Sequence, residues 1–569
     1  MKNILLALFT TIGIGVNAEQ FDWAKGFGSS VQDEGKSIAT DASGTVYITG
    51  TFRFTADFDP GTDTFELTTA GGSDVFVQKL NAAGDFVWAV NMGGTNFETV
   101  RSVFVDNAGF VYVTGSFSGS ADFNPSPLPG DTFNLNSVGI DDIFVVKLTQ
   151  AGAFVWAKSM GGSSTDEGFA IAADGTGNVY VGGRFQGTAN FSTTSGTTNL
   201  IANGGGDDFF ICQLNSIGAL QWAHGTGGTG NDYCLNITLD NSNNVIATGY
   251  YSSPSIDFDP NAANITLNHG GASDIFVLKY DAAGNFLWSR GFGSAGYDIG
   301  YDVVTDASGN VYTTGRFEGT VDFDPGNSTF DLTSAGQQDV YILKLDVSGN
   351  FSWAKSLGSG SPEWGQSVDI DGVGGLYFTG FFQETIDFNP GSGTASLSSA
   401  GGEDVFVAKF DVGGNFVWAK ALGGTNSQFG DRGEDLAVDA TGNVYTTGWF
   451  YDAADFDPTV DTMVIVSQGN FDIFVHKISQ PGNSIGETES NMTIALYPNP
   501  TIGETTLDLP EMESSIQLNI YNALGQSVLT NYYTNTNRIK FDSEFGKGVY
   551  FVKLSTARGK TAYMKLLRE

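Results

Sequence analysis

Cysteine and histidine are scarce: two and three residues respectively in a chain of 569. So few, so scattered, they make neither a disulfide framework nor a Cys/His metal site. Cys212 and Cys234 fall on strands of adjacent repeats, a placement compatible with a disulfide or with two free thiols. His224, His269 and His476 fall in different repeats without a recurrent Ser or Cys partner, so no nucleophilic triad is recognisable. Positive charge is also short: 26 Lys and Arg stand against 63 Asp and Glu, a net charge of −37. That balance excludes a nucleic-acid partner, which would need a basic face. Beyond the N-terminus no run approaches about 20 apolar residues, so no transmembrane helix is expected in the mature chain. Aromatic residues make up 13%, however, so the chain is no disordered acidic tail; it has apolar surface to bury.

The two ends differ from the middle. Residues 1–18 carry Lys2, an apolar stretch Ile4–Val16 and the small-residue site Val16-Asn17-Ala18, the pattern of a secretory signal. Residues 481–492 have the Pro, Gly, Ser and Glu of an exposed linker. Residues 493–569 hold 8 Lys and Arg against 7 Asp and Glu, so the whole net charge of −37 resides in residues 19–480.

Within residues 19–480, Trp recurs at near-equal intervals: Trp23, Trp88, Trp156, Trp222, Trp288, Trp353 and Trp418. A fixed period of this kind marks an array or a propeller. Each repeat reads as four short strands: one ending at Asp (Lys36–Asp41), a second after a tight turn (Val46–Phe52), a third (Asp74–Leu80) and a fourth carrying the Trp (Phe86–Val90). Such a sheet alone leaves edges and one face unburied, and radial packing of several sheets removes both problems. The domain starts on a Trp strand (Phe21–Phe27) and ends on a third strand (Phe471–Ile478). One strand from each end therefore completes the seventh sheet. The expected fold is all-β: a seven-bladed β-propeller closed by N- and C-terminal strands, followed by a small β-sandwich.

Two resemblances accompany these readings. Asp306–Gly315 (DASGNVYTTG), Asp404–Lys409 and Gly414–Lys420 resemble the SBBP-type bacterial β-propeller repeat, which extends over most of residues 19–480. In the tail, Leu496-Tyr497-Pro498-Asn499-Pro500, Ile516–Val528, Gly546–Thr556 and the terminal KLLRE resemble the C-terminal sorting domain of the type IX secretion system. The second resemblance implies handling by that machinery and export through the periplasm, to end secreted or at the outer cell surface.

Three sets of residues are candidate sites. Aligning the first strands gives an acid at one position in every repeat: Asp33, Glu98, Asp166, Asp232, Asp298, Glu363 and Asp431. Two residues on stand small residues in most repeats (Gly35, Gly168, Gly300, Gly365, Gly433), which suit a crowded axis. Seven carboxylates around a channel mouth could hold a cation such as calcium, or each could accept backbone N–H groups and fix the packing. The second set is the D-F-[DN]-P segment, present in six repeats and reduced in the third to Asn190-Phe191-Ser192. In the first repeat Asp57, Asp59 and Asp63 are spaced for oxygen ligation of calcium, although the distal Glu and sixth-position Gly of an EF-hand loop are missing. The alternative is an Asx-Pro turn with the Phe pinned in the core. The third set varies where a scaffold position would repeat: Thr51, Ser116, Arg184, Tyr250, Arg316, Phe381 and Trp449. Arg and aromatic side chains there suit a carbohydrate or protein face, and free drift of a solvent-facing position is the alternative.

No catalytic constellation is recognisable. The expected function is therefore a non-enzymatic exported scaffold that binds or adheres through a surface glycan or protein, with calcium as the one candidate cofactor. A secreted carboxylate-dependent glycan hydrolase or lyase is the alternative, and it would require non-repeating acids to converge.

Overall fold

A computed structural model describes residues 19–259, 266–459 and 461–480, and in the C-terminal part 495–497, 499, 501, 503–522, 527–542, 545–556 and 560–568. The signal (1–18), the linker (481–492), Pro260 and the Pro498 and Pro500 of the tail motif lie outside the described residues. Among the described residues every regular element is a strand. Contacts divide the chain into two compact units, one spanning Ala18–Gln480 and one holding the C-terminal part.

In the larger unit four antiparallel strands recur seven times. The first repeat pairs Glu34–Thr40, Val46–Phe52, Asp74–Leu80 and Phe86–Gly94 in sequence order. The second and third strands are buried on both faces, as their near-continuous apolar sequences require. Tight turns join the strands. In the first of them Asp41 Oδ1 accepts the N–H groups of Ser43 and Thr45, and Gly44 takes φ +74°. The fourth strand runs past the expected Val90 to Gly94, because Gly93 and Gly94 also pair with Asp122 and Ala121 of the following repeat.

The seven first strands are Glu34–Thr40, Glu98–Val105, Glu167–Ala173, Asp232–Leu239, Ile299–Thr305, Trp364–Ile370 and Arg432–Val438. Each packs against the first strand of the next repeat, and the last packs against the first. The seventh sheet is completed by Gln20–Phe27, which pairs antiparallel with Val464–Ser479 from Gln20↔Ser479 to Phe27↔Ile473.

The cores lie between repeats. Trp23, Phe27 and Phe76 share one cluster with Tyr445, Ile473 and Val475 of the seventh repeat. The periodic indoles belong to this packing: Trp23 Nε1 donates to Ala82 O, Trp88 to Gln150 O and Trp156 to Ser216 O, each in the turn of the following repeat. Small residues in the first strand answer to a neighbour rather than to the axis. A Cβ on Gly35 would lie 2.6 Å from Thr447 Oγ1, and one on Gly168 would lie 2.3 Å from Thr114 Oγ1, both on the second strand of the preceding repeat.

Every first strand slips by one residue two positions after its acid. The register shift falls between Gly35 and Ser37, and at the corresponding place in the other six. The extra residues are Lys36, Arg101, Phe169, Leu235, Tyr301, Gln366 and Glu434. A bulge of this type re-aims a side chain that regular alternation would bury, and all seven line a cavity of about 750 Å³ bordered by every first strand.

The C-terminal unit has two antiparallel sheets. One contains Ala495–Tyr497, Glu504–Glu513 and Thr536–Asp542; the other contains Ser527–Tyr533, Ile516–Asn522, Gly548–Thr556 and Thr561–Arg568. Both contribute to one core, with Leu507 and Ile539 from the first meeting Leu518, Val552 and Leu566 from the second. This is a two-layer sandwich.

Candidate binding site at the strand ring

The seven first-strand acids are at most 3% exposed. Six of them tie the loop before them to the end of the second strand of their own repeat. Asp298 accepts Ser294 N at 2.6 Å and Glu318 N at 2.8 Å; Asp166 accepts Gly162 N at 2.6 Å and Gln186 N at 3.0 Å; Asp431 accepts Gly424 N at 2.7 Å and Tyr451 N at 2.9 Å. Asp33 does the same with Ser29 N and Arg53 N, and Asp232 with Gly228 N and Ser252 N. Glu363 joins Ser359 N to the backbone of Gln383. Asp232 adds the Ser253 hydroxyl and Glu363 the Ser359 hydroxyl. Glu98 accepts Gly94 N at 3.0 Å.

Each of these acids meets a second buried carboxyl at the start of the preceding repeat's third strand: Asp74, Asp142, Asp208, Asp274, Asp339, Asp404 or Asp472. A Cβ on Gly93 would sit 2.5 Å from Asp74 Oδ1 and 2.7 Å from Glu98 Oε2, so the two carboxyls crowd one glycine. In all seven third-strand acids Oδ1 has no partner among the described residues. Burial, with the neighbouring carboxylate adding to it, pushes Glu98, Glu363 and Asp208 up to about 7 and Asp298 up to about 6. These are paired carboxyls that hold a proton near neutrality.

The D-F-[DN]-P segments form Asx turns that close short hairpins. Asp57 Oδ1 accepts Asp59 N at 3.0 Å and Phe65 N at 2.8 Å, Asp59 Oδ1 accepts Gly61 N, and Phe58 is fully buried. Asp63 is exposed. Asn190 makes the equivalent bonds to Ser192 N and Thr198 N, so the third repeat keeps the turn without the acid. Among the described residues no group of three or more His, Cys, Asp or Glu side chains is arranged to hold a metal ion. Cys212 and Cys234 are both free and buried.

The varying residues sit differently. Each is the cross-strand partner of a residue close after the ring acid: Arg184 faces Glu167, Tyr250 faces Tyr233, Arg316 faces Ile299, Phe381 faces Trp364 and Trp449 faces Arg432. Together with the bulged residues they bring Arg and aromatic groups to one end of the strand ring. Of six arginines in residues 19–480, five gather there (Arg53, Arg101, Arg184, Arg316 and Arg432), and only Arg290 lies elsewhere. Glu167 binds both Arg101 (2.7 Å) and Arg184 (3.2 Å), and Arg184 also reaches Asp207 (2.5 Å). Lys36 pairs with Glu34 and Glu434, and Arg432 pairs with Glu403. Arg316 lies 3.9 Å over the Trp364 ring, and Arg432 lies 4.3 Å over the Phe381 ring. Phe381, only 1% exposed, supports Arg432 from below and has no surface to offer a ligand. Trp449 Nε1 donates to Glu434 Oε1 at 2.9 Å, and Tyr233 and Tyr250 pack with ring centroids 4.9 Å apart.

Three further acids are marked by no sequence pattern. Asp302, Asp369 and Asp435 border the cavity in the fifth, sixth and seventh repeats, where the other repeats carry uncharged residues. Ser367 Oγ lies 2.9 Å from Asp302 Oδ2 and 2.8 Å from Asp435 Oδ1. One hydroxyl proton cannot serve two carboxylates, so one carboxyl carries a proton of its own. Burial pushes Asp302 to about 6 and Asp369 and Asp435 to about 7. Every oxygen of Asp302 and Asp435 already has a protein partner: Val303 N, Val368 N and Ser367 for the first; Leu436 N, Ile38 N, Ser37 and Ser367 for the second.

Comparison with known proteins bears on both units. Over 256 residues (40% of this chain, 18% of the relative) the chain is 24% identical to an uncharacterised WD repeat-containing protein of Acanthamoeba polyphaga mimivirus. It is also 24% identical over 470 residues (76% of this chain, 46% of the relative) to the regulatory protein FlaEY of Caulobacter vibrioides. The chain thus spans less than half the length of either. Among solved structures, a fungal alcohol oxidase in complex with copper overlays 97% of this chain and 100% of its own at 12% identity, but the TM-score of 0.34 carries no argument. Residues 495–567 match the model of the secretion system C-terminal sorting domain. The tail is therefore a sorting domain, and the chain is a cargo of the type IX secretion system, destined for the cell surface or the extracellular space.

Proposed function

We propose that residues 19–480 form an exported, non-enzymatic seven-bladed propeller of the SBBP repeat type, which binds a glycan or protein ligand at the arginine-rich end of its strand ring. The carrying observation is the gathering there of five of the six arginines of a strongly acidic domain, interleaved with Tyr233, Tyr250, Tyr301, Trp364 and Trp449. Scaffold positions repeat in every unit; these positions do not, and Arg with aromatic rings is the composition of contact surfaces. The pairing of seven sheets and the placement of the first strands support the propeller reading. Adhesion at the cell surface follows from binding combined with export. A glycan and protein array probed with the purified protein tests this reading. Retention that disappears in Arg184→Ala and Trp449→Ala supports it, and a blank array overturns it.

The second reading is a carboxylate-dependent glycan hydrolase or lyase. It is favoured by the convergence of the non-repeating acids Asp302, Asp369 and Asp435, all raised toward neutrality, on one cavity. The saturation of Asp302 and Asp435 by protein donors weighs against it, since a catalytic acid or base needs an oxygen for substrate. Release of reducing ends that is lost in Asp435→Asn would establish this second reading.

A further inference from the structure

Arg316 is the exception among the charged groups at this end. Lys36, Arg101, Arg184 and Arg432 all have carboxylate partners. Arg53 has none, but it is exposed and solvated. Arg316 is half-buried, and no carboxylate pairs with it among the described residues. Its Nη1 donates to Gln338 Oε1 at 2.9 Å, and the same oxygen accepts Trp364 Nε1 at 3.0 Å. That shared acceptor holds the guanidinium over the indole, 3.9 Å from its centre. Nε is buried without a partner, and Nη2 has no protein acceptor among the described residues. Burial pulls the group below its ordinary range. A guanidinium withdrawn from water without a counter-charge is costly, and the net charge of −37 means that acids for an ion pair are not in short supply.

We propose that the ligand of this end is a saccharide bearing a carboxylate, of the uronate type, whose carboxylate is received by the guanidinium of Arg316. The inference rests on the binding reading above and names the ligand class for it. Glu318 attracts the guanidinium without pairing with it, and an anion at Nη2 would supply a carboxylate in direct contact, through a charge-assisted hydrogen bond. A saccharide fits the surroundings better than a peptide. Peptides are taken by a free sheet edge or an apolar groove, whereas this end presents rigid ion pairs and aromatic rings. Glu403, partly exposed and held by Arg432, offers an acceptor fixed in place for a sugar hydroxyl.

The test is an array carrying uronate-bearing oligosaccharides, the same oligosaccharides with their carboxyls reduced to alcohols, neutral glycans and acidic peptides, probed with the purified full chain. Retention on uronate saccharides should exceed that on their reduced counterparts by about tenfold or more. Arg316→Gln should erase that preference, and Arg290→Gln should leave it intact. If Arg316→Gln does not fold, raising sodium chloride from about 50 to about 500 mM with the unaltered protein should remove most of the preference. Equal retention of carboxylate and reduced forms overturns the inference while leaving the binding reading standing. Stronger retention on acidic peptides overturns the saccharide class. An unchanged preference in Arg316→Gln overturns the role of that residue. A blank array overturns this inference and the binding reading together.

Discussion

In each first strand, the ring acid and the side chain that follows it are adjacent in sequence and opposite in behaviour. The acid is a carboxyl seven times, buried, and in six repeats its oxygens are given to backbone N–H groups of the loop before it and of its own second strand. The next residue is Glu34, Thr99, Glu167, Tyr233, Ile299, Trp364 or Arg432, and the bulged residue two places further on varies as freely. Strand alternation separates the two roles, and the bulge adds a second outward position. Repetition here therefore marks what holds the ring, and its failure at the bulged residue marks what faces the cavity.

The sharpest way to break the holding part is to remove Gln20–Phe27. Trp23 and Phe27 are nearly fully buried, and their loss alone would cost about 5 kcal/mol. The exposed edge of Val464–Ser479 would add to the cost. Circular dichroism melts should show the transition of residues 19–480 strongly lowered or lost; an unchanged melt would mean the closing strand is dispensable.

The next largest effect concerns pH. Burial raises the paired carboxyls, Asp166 to about 6 and Glu98 and Asp404 to about 7, against reference values of 3.8 for Asp and 4.5 for Glu. The folded state therefore binds more protons than the unfolded chain between those values. The stability this contributes is complete below about pH 4 and is lost as pH rises through 6 to 7. A tenfold difference in proton affinity between the folded and unfolded states corresponds to about 1.4 kcal/mol. His476 acts with the opposite sign: burial pushes it down to about 3, so its contribution is lost as pH falls below 6.5. The turn aspartates, such as Asp306 and Asp439, are partly buried yet held low by the hydrogen bonds they accept, and they also lose their contribution in acid. Urea unfolding should give a maximum near pH 5 and a lower free energy at pH 8. Asp435→Asn should flatten that slope, because it removes one of the two carboxyls that share Ser367. Equal stability at pH 5 and 8 would contradict the paired-proton account.

A direct contrast comes from two substitutions. Asp298→Ala leaves Ser294 N and Glu318 N without acceptors and should cost about 3 kcal/mol. Arg316→Gln should stay within about 0.5 kcal/mol, because the guanidinium it removes has no carboxylate partner among the described residues and Gln338 Oε1 keeps its bond from Trp364 Nε1. Chemical denaturation of both variants checks the ordering, and a reversal would undo the division of roles.

The smallest effect is expected from calcium. Asp57 Oδ1 and the oxygens of most ring acids are engaged by backbone donors. Melting temperatures in calcium, magnesium and sodium chloride at matched ionic strength should therefore coincide. A calcium-specific rise that vanishes in Asp57→Asn would place an ion in that turn.

Much of the frame is legible in the chain because it is local or periodic. Val46–Phe52 and Asp74–Leu80 have the bounds their alternating and apolar runs suggest, and the unmatched first and last strands do pair. The reason for the small residues is not legible, because Gly35 and Gly168 are crowded by Thr447 and Thr114, which belong to other repeats and stand far from them along the chain. The cavity-facing set is only half legible. A one-residue slip breaks the period that sequence patterns rely on, so Lys36, Tyr301 and Gln366 give no signal. Asp302 and Asp435 meet through Ser367, a serine on a different repeat, and no spacing rule reports such a meeting.

The pairing of Gln20–Phe27 with Val464–Ser479 also sets an order of events. The strand that leads its domain out of the ribosome must wait unpaired for a partner at the far end of that domain. Six sheets can form as they arrive, but the seventh cannot. Until then Trp23 and Phe27 are exposed, together with an unpaired edge, so the chain is most open to chaperones, proteases and misassociation just before its last strand appears. Completion is thus a late, all-or-nothing event, and the same contact that closes the ring reports that everything between Gln20 and Ser479 has been delivered.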